Sequence, residues 1–244
     1  MKKYWNDETV YTQPDLAMLR RMAEESAAKA GKRGRKYEPV IAHSKRGEVC
    51  ESWWGQAWCH NLERYADYES RLDRGKRYIR SGTVIDLQIK NGRVEAKVQG
   101  RRKTPYKVEI RIGRLSEDSI QRIVSQCNER IESVEALVQG RFPEDLKGVF
   151  TEEDGLFPKP NEIQFSCSCP DWALLCKHVA AVLYGIGVKF DENPFFFFHL
   201  RGIDVDRFLD ITVQSRVETM LSHADVQSER IITDRDVNAL FGVL

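Results

Sequence analysis

The chain has 244 residues, 41% of them hydrophobic and 31% charged, with a formal net charge of +1. That balance excludes wholesale disorder and suits one large domain or two small ones. No stretch reaches the roughly 18 apolar residues that a membrane span needs, and the lysines near the start precede no apolar run, so a cytoplasmic protein with no membrane partner is expected.

The charge is unevenly spread. Residues 20–114 carry 24 Lys and Arg against 12 Asp and Glu, whereas residues 115–244 carry 12 against 22. A basic half therefore precedes an acidic half, and the first is the place to look for a polyanion partner.

In chain order, residues 14–30 predict a helix, with Pro14 suited to its first turn and several alanines favouring it. "GKRGRKYEP" then reads as a flexible basic arm. Over 51–68, Trp54, Trp58, Leu62 and Tyr65 fall on one helical face, so core packing is the expected role of Trp54 and Trp58. From residue 76 the period changes. Strands are expected near 83–90, 93–99 and 106–112, the first two joined by an Asn91-Gly92 turn. They form a small antiparallel sheet with one solvated face. A helix over 116–140 follows, capped by Ser116, with Ile120, Ile123, Val124, Cys127, Ile131, Val134 and Val138 as its apolar stripe. After a loop with a short helical piece comes the strand "EIQFSC", then an alanine-rich buried helix from Cys176 that Gly185 or Gly187 is expected to end. "FFFFH", 195–199, is expected to be buried with Phe198 the most open of the four, and helices near 204–222 and 234–242 close the chain.

Between strand and helix, "CSCPDWALLCKH" packs three cysteines and a histidine into twelve residues. Zinc favours a closed tetrahedron of thiolate and imidazole in structural sites. Both one-residue spacings are workable. Cys167 and Cys169 share a face at a strand end, where i and i+2 side chains align. In a regular helix i and i+2 lie about 200° apart, so Cys176 and His178 can meet one ion only if Cys176 sits at or before the helix cap. Three thiolates and a neutral imidazole around Zn2+ carry a net charge of −1, which Lys177 and the helix N-terminus offset. With all four positions filled, the site is structural.

The pattern C-x-C-x(6)-C-x-H resembles the SWIM-type zinc finger, and "CSCPDWALLCKHVAAVLYGIG" is similar to the form found in a family of bacterial SWIM zinc finger proteins. The likeness extends upstream through "WWGQAWCHNLERYADYESRLDRGKRYIRSGTVIDLQI", "LVQGRF" and "GLFPKPNEIQFSCSCPDWA", and downstream through "NPFFFFHLRGID", roughly residues 50 to 210. It implies Cys167, Cys169, Cys176 and His178 as the zinc ligands. It further implies a DNA- or protein-binding module associated with Swi/Snf-type helicases, with no proven activity.

For a nucleic acid, DNA being the first expectation, the candidate contacts are Arg77, Arg80, Lys90, Arg93, Lys97, Arg101, Arg102, Lys103 and Lys107, read as lying on strands and turns. Tyr78 and Tyr106 are candidates for base stacking. Cys50, Cys59 and His60 lack a fourth ligand at a sensible spacing and are expected to serve packing and surface. No phosphate loop, H-E-x-x-H or other catalytic constellation is found, so the protein is not expected to be an enzyme. The expectation is an α+β protein: an N-terminal helix and arm over 1–48, a mixed domain with a basic sheet over 49–150, a strand–zinc knuckle–helix finger over 151–190, and a helical segment over 191–244.

Overall fold

A computed structural model describes residues 15–64, 69–130, 144–152, 154–171, 173 and 175–222. Its helices are α1 (Leu16–Gly31), α2 (Trp53–Glu63), α3 (Glu69–Arg80), α4 (Glu117–Arg130), α5 (Lys147–Thr151), α6 (Lys177–Glu192), α7 (Phe196–Leu200) and α8 (Val205–Ser222). The strands β1 (Val84–Lys90), β2 (Arg93–Val98), β3 (Tyr106–Ile112) and β4 (Ile163–Cys167) form one antiparallel sheet in the order β1-β2-β3-β4. The α+β expectation holds, with the finger's own strand added to the predicted three.

Local chemistry sets the element ends. Asp15 accepts from the Ala17 N–H at 2.9 Å to cap α1, and Ser52 accepts from the Gly55 N–H at 3.0 Å to cap α2. Ser116 accepts from the Ser119 N–H at the start of α4. The hairpin between β1 and β2 turns at Gly92, whose φ of +68° glycine adopts without a Cβ clash. Strand alternation then divides the sheet: Val94, Ala96, Val98, Val108, Ile110 and Ile112 are buried on the inner face, while Lys107 and Arg111 stand exposed on the outer one.

Helix α6 lies against that inner face, touches all four strands and packs on α2 and α3. From His178 to Val188 every residue is buried. Such close approach from several sides needs small residues. A Cβ on Gly185 would lie 2.9 Å from Leu87, and one on Gly187 would lie 2.7 Å from the Cys50 sulfur. These glycines are contact points inside α6, which runs on to Glu192, and do not end it as expected.

At the far end of α6 an aromatic core joins α2, α5, α6 and α7. Phe190 stacks on Phe197 with centroids 3.5 Å apart, Trp58 meets Phe190 edge-on at 5.2 Å, and Phe150 meets Trp53 and Phe197 in the same way. Trp58 donates to the Leu183 carbonyl and is 1% exposed, so the packing role expected of it is met. Within "FFFF" the expected order of exposure is reversed: Phe198 is fully buried beside Phe197, and Phe195 and Phe196 are half-buried. The reason is that α7 turns its 197/198/200 side into the core.

Three further differences concern the basic half. Residues 69–80 form α3, a helix that the sequence pattern does not predict. Arg77 and Arg80 accordingly sit in the last turn of α3, not on strands or turns, and Arg80 donates to the carbonyls of Ser44 and Gly47. The arm does not run free along its length. Val40 bridges Val84 antiparallel, and the Leu87 N–H donates to the Glu38 carbonyl at 2.9 Å, so its end lies along the β1 edge. The remaining parts of the helix predicted over 116–140, and the helix near 234–242, lie outside the described residues.

By contacts the chain divides into Met1–Val205 and Asp206–Leu244. In the second unit, the 206–222 part of α8 carries Val213, Val217, Met220 and Leu221 as exposed apolar residues. No helix among the described residues is long and apolar enough to cross a membrane.

Candidate metal centre

The register of β3 and β4 places the first ligand. Cys167 pairs with Val108, so its side chain points to the inner face. The ladder continues one residue further: the Ser168 N–H donates to the Lys107 carbonyl at 3.0 Å, and the Lys107 N–H donates to Ser168 Oγ at 2.9 Å. That fixes the backbone which presents Cys169. The chain then turns at Pro170 and Asp171. Asp171 accepts from the Ala173 N–H and pairs with Arg71 of α3 at 2.7 Å. Burial opposes ionisation of this carboxyl, but the Arg71 hydrogen bond and the Ala173 N–H hold it below its ordinary range.

Cys176 is the N-cap of α6, with extended φ −77° and ψ 166°. This is the position that the one-residue spacing to His178 requires, and it brings both side chains to the knuckle. One donor atom from each of Cys167, Cys169, Cys176 and His178 lies within 4.8 Å of the others. His178 Nδ1 is 3.9 Å from the sulfurs of both Cys167 and Cys176. A zinc tetrahedron with Zn–S near 2.3 Å and Zn–N near 2.0–2.1 Å has edges of about 3.6–3.8 Å. The donors thus stand close to the spacing of a closed tetrahedral site. Three thiols and an imidazole suit Zn2+ in chemistry as well as in geometry.

The three thiols are shifted in opposite directions. A hydrogen bond from Cys167, with help from His178 and the Val179 N–H at the helix start, outweighs burial and lowers Cys176 to about 3. The same hydrogen bond and burial push Cys167 up, and burial raises Cys169. Zinc would bind these cysteines as thiolates, so its binding would release protons and depend on pH.

His178 is 2% exposed and sits between two tyrosines. Tyr106 of β3 lies against it with centroids 4.4 Å apart and planes at 31°, and Tyr78 of α3 meets it edge-on at 5.6 Å. Both tyrosines are buried, at 3% for Tyr78 and 7% for Tyr106. Both were candidates for base stacking in the sequence reading; here they pack on the histidine. The signal that finds this role is register: Tyr106 pairs with Val98, two residues short of Gly100, whose missing side chain leaves room for both rings.

The expected nucleic-acid residues fall into groups. On the outer face of the sheet, Lys90 and Arg93 pair with Glu95 at 2.5 and 2.8 Å. Lys97 pairs with Asp86 at 2.6 Å and lies over the Tyr37 ring. Glu109 adds a third carboxylate, next to Glu95 in the register. Arg101, Arg102 and Lys103 are exposed in the turn from β2 to β3, and Lys107 is exposed on β3 beside Ser168. Lys103 and Lys107 form no ion pair with a described residue. This turn borders the knuckle: a Cβ on Gly100 would lie 3.2 Å from His178 Nε2, and the Arg102 guanidinium is 5.5 Å from the Tyr106 ring centre. Cys50 and Cys59 are buried with sulfurs 3.5 Å apart, and His60 is exposed beside Glu48, in line with packing and surface roles.

The family model of the SWIM zinc finger matches residues 157–185, a span that contains β4, the knuckle and the first half of α6. The chain is also similar to "Uncharacterized protein Rv2102" of Mycobacterium tuberculosis (strain ATCC 25618 / H37Rv), 35% identical over 188 residues, which is 76% of this chain and 68% of that one. No solved structure matches.

Proposed function

The chain belongs to the SWIM zinc finger family, and from that premise we propose that it is a non-enzymatic accessory factor that binds nucleic acid, DNA first, within a cytoplasmic helicase-associated system. Zinc is a structural ion here: it ties β4 to α6. The observation that carries the binding reading is that Arg102 and Lys103 are exposed in the turn that leaves Gly100 beside the knuckle, and that Lys107 is exposed next to Ser168. A phosphate backbone needs cations that are not already neutralised. On the sheet face the carboxylates of Asp86, Glu95 and Glu109 stand between the cations and repel phosphates, so Lys90, Arg93 and Lys97 contribute less. The contact surface is thereby moved from the sheet to its end. Contacts of this kind give affinity without base readout. The Swi/Snf-type helicase as partner rests on the family likeness.

The test is a titration of the zinc-loaded protein with a labelled duplex at 50 and 200 mM salt. With three phosphates neutralised the salt slope is about −2.7, so affinity falls about forty-fold across that range. Lys103→Glu with Lys107→Glu removes most of the binding and flattens the slope. No binding at 50 mM salt refutes the reading, and an RNA duplex of the same length checks the preference for DNA.

One observation favours a second reading, a protein adaptor for the helicase. Val213, Val217, Met220 and Leu221 are 44%, 48%, 70% and 65% exposed at i, i+4, i+7 and i+8 of α8, an apolar stripe of the kind that partner helices cover. A helicase complex that survives nuclease treatment and is lost with Val217→Asp supports the adaptor. A complex that nuclease abolishes supports nucleic-acid binding.

A further inference from the structure

A histidine that binds a metal normally gives the N–H of its other ring nitrogen to a carboxylate, a carbonyl or water, and that bond fixes both tautomer and ring orientation. At His178 no described residue supplies that acceptor. Its Nδ1 faces the sulfurs, and its Nε2 is buried without a hydrogen-bond partner among the described residues. What the described residues supply is contact with the ring. Three neighbours bound it: Tyr106 against its face, Tyr78 edge-on, and the bare Cα of Gly100 beside Nε2. A Cβ at Gly100 would lie 2.5 Å from the Tyr106 ring and 3.2 Å from Nε2, so the three groups are packed to contact.

We propose that Tyr106 is a positioning residue for the metal centre, its ring holding the His178 imidazole so that Nδ1 is presented to zinc, and that Gly100 makes this packing possible. Zinc fixes the tautomer by occupying Nδ1, which leaves the proton on Nε2. The tyrosine fixes the rotation. Orientation by contact lacks the added basicity that an anionic acceptor would give the ligand. The imidazole is then held by shape, and its hold on the ion depends on an intact ring at position 106. The phenolic oxygen is not needed for this. The contact with His178 is made by the buried ring, whose centre lies 4.4 Å from that of the imidazole.

The inference rests on the zinc reading and is independent of nucleic-acid binding. The experiment measures zinc affinity of the full chain by competition with a chromophoric chelator, and records the cobalt(II) spectrum of the same variants. Tyr106→Phe keeps the ring and is expected to bind within about twofold of the parent. Tyr106→Leu keeps apolar bulk but removes the ring, and zinc affinity is expected to fall about 10- to 100-fold. Its cobalt d–d bands should move from those of a three-sulfur, one-nitrogen site toward three sulfurs and water. A merely structural role for the tyrosine would lower stability without that spectral change. Gly100→Ala pushes the rings apart and carries the test by itself if Tyr106→Leu fails to fold; it is expected to show the same spectral shift. Parent-like affinity and spectrum in Tyr106→Leu or Gly100→Ala, or equal losses in Tyr106→Phe and Tyr106→Leu, overturn the proposal. Loss of zinc stoichiometry in the parent chain itself would instead refute the zinc reading.

Discussion

Gly75 stands in the interior of α3, where glycine costs a helix about 1 kcal/mol relative to alanine. On propensity alone, Gly75→Ala should stabilise the protein. The packing predicts the opposite. The added methyl would lie 2.6 Å from the Ala180 Cβ and 3.0 Å from the Ala180 carbonyl carbon, both on α6. Carbon contacts relax to about 3.5–4.0 Å, so the two helices must separate by about 1 Å. The obstacle is a backbone and a methyl, neither of which can swing away, so the overpacking cost lies near the upper end of about 1–3 kcal/mol. Subtracting the helix gain leaves a loss of about 2 kcal/mol. For a unit of this size that lowers Tm by about 4–8 °C. Ala180 is two residues beyond His178, so the same displacement should also speed zinc release to a chelator. Thermal melts and chelator kinetics on parent and variant check both effects. An unchanged or raised Tm would show that α3 and α6 are not in contact at Gly75, and the account of how α6 is held would be wrong.

Replacing Cys176 by Ser removes the ligand at the N-cap of α6, and it should bring zinc content toward zero and unfold the knuckle; elemental analysis finding a full equivalent of zinc would contradict the ligand assignment. Glu63 joins three helices, pairing with Lys76 of α3 at 2.7 Å and accepting from Tyr184 of α6 at 2.8 Å. Burial opposes its ionisation, but these two partners hold its carboxyl below the usual value of 4.5. Its contribution is therefore full above that value and lost as pH falls below it. The difference in Tm between the parent and Glu63→Gln should shrink from pH 6 to pH 3, and a constant difference would show that the carboxylate's charge plays no part.

The knuckle was readable from sequence because its geometry is local: four donors within twelve residues leave few arrangements, and the one-residue spacing alone requires Cys176 at a helix start. The β1–β2 hairpin was readable for a similar reason, since Asn91-Gly92 sets its turn and alternation sets its faces. α3 was not. Its inward side is Leu72, Gly75, Tyr78 and Ile79 among seven charged residues, and a glycine that serves as a contact point does not register as apolar. Gly185 and Gly187 misled in the same way, as close approaches resemble stops when the neighbouring helix is unseen. The charge of the sheet face was overstated because Asp86, Glu95 and Glu109 come opposite or beside the cations only once the strands are in register. Tyr78 and Tyr106 are 28 residues apart in sequence, and nothing local says that both close on His178.

One zinc ion is to join β4 to α6 through three sulfurs and one nitrogen. X-ray absorption at the zinc edge of the purified chain tests it most directly. The expected spectrum shows one zinc per chain, with three sulfur neighbours near 2.3 Å and one nitrogen near 2.0–2.1 Å. A shell of oxygen and nitrogen alone, or a chain purified with no zinc that does not take it up, would contradict it.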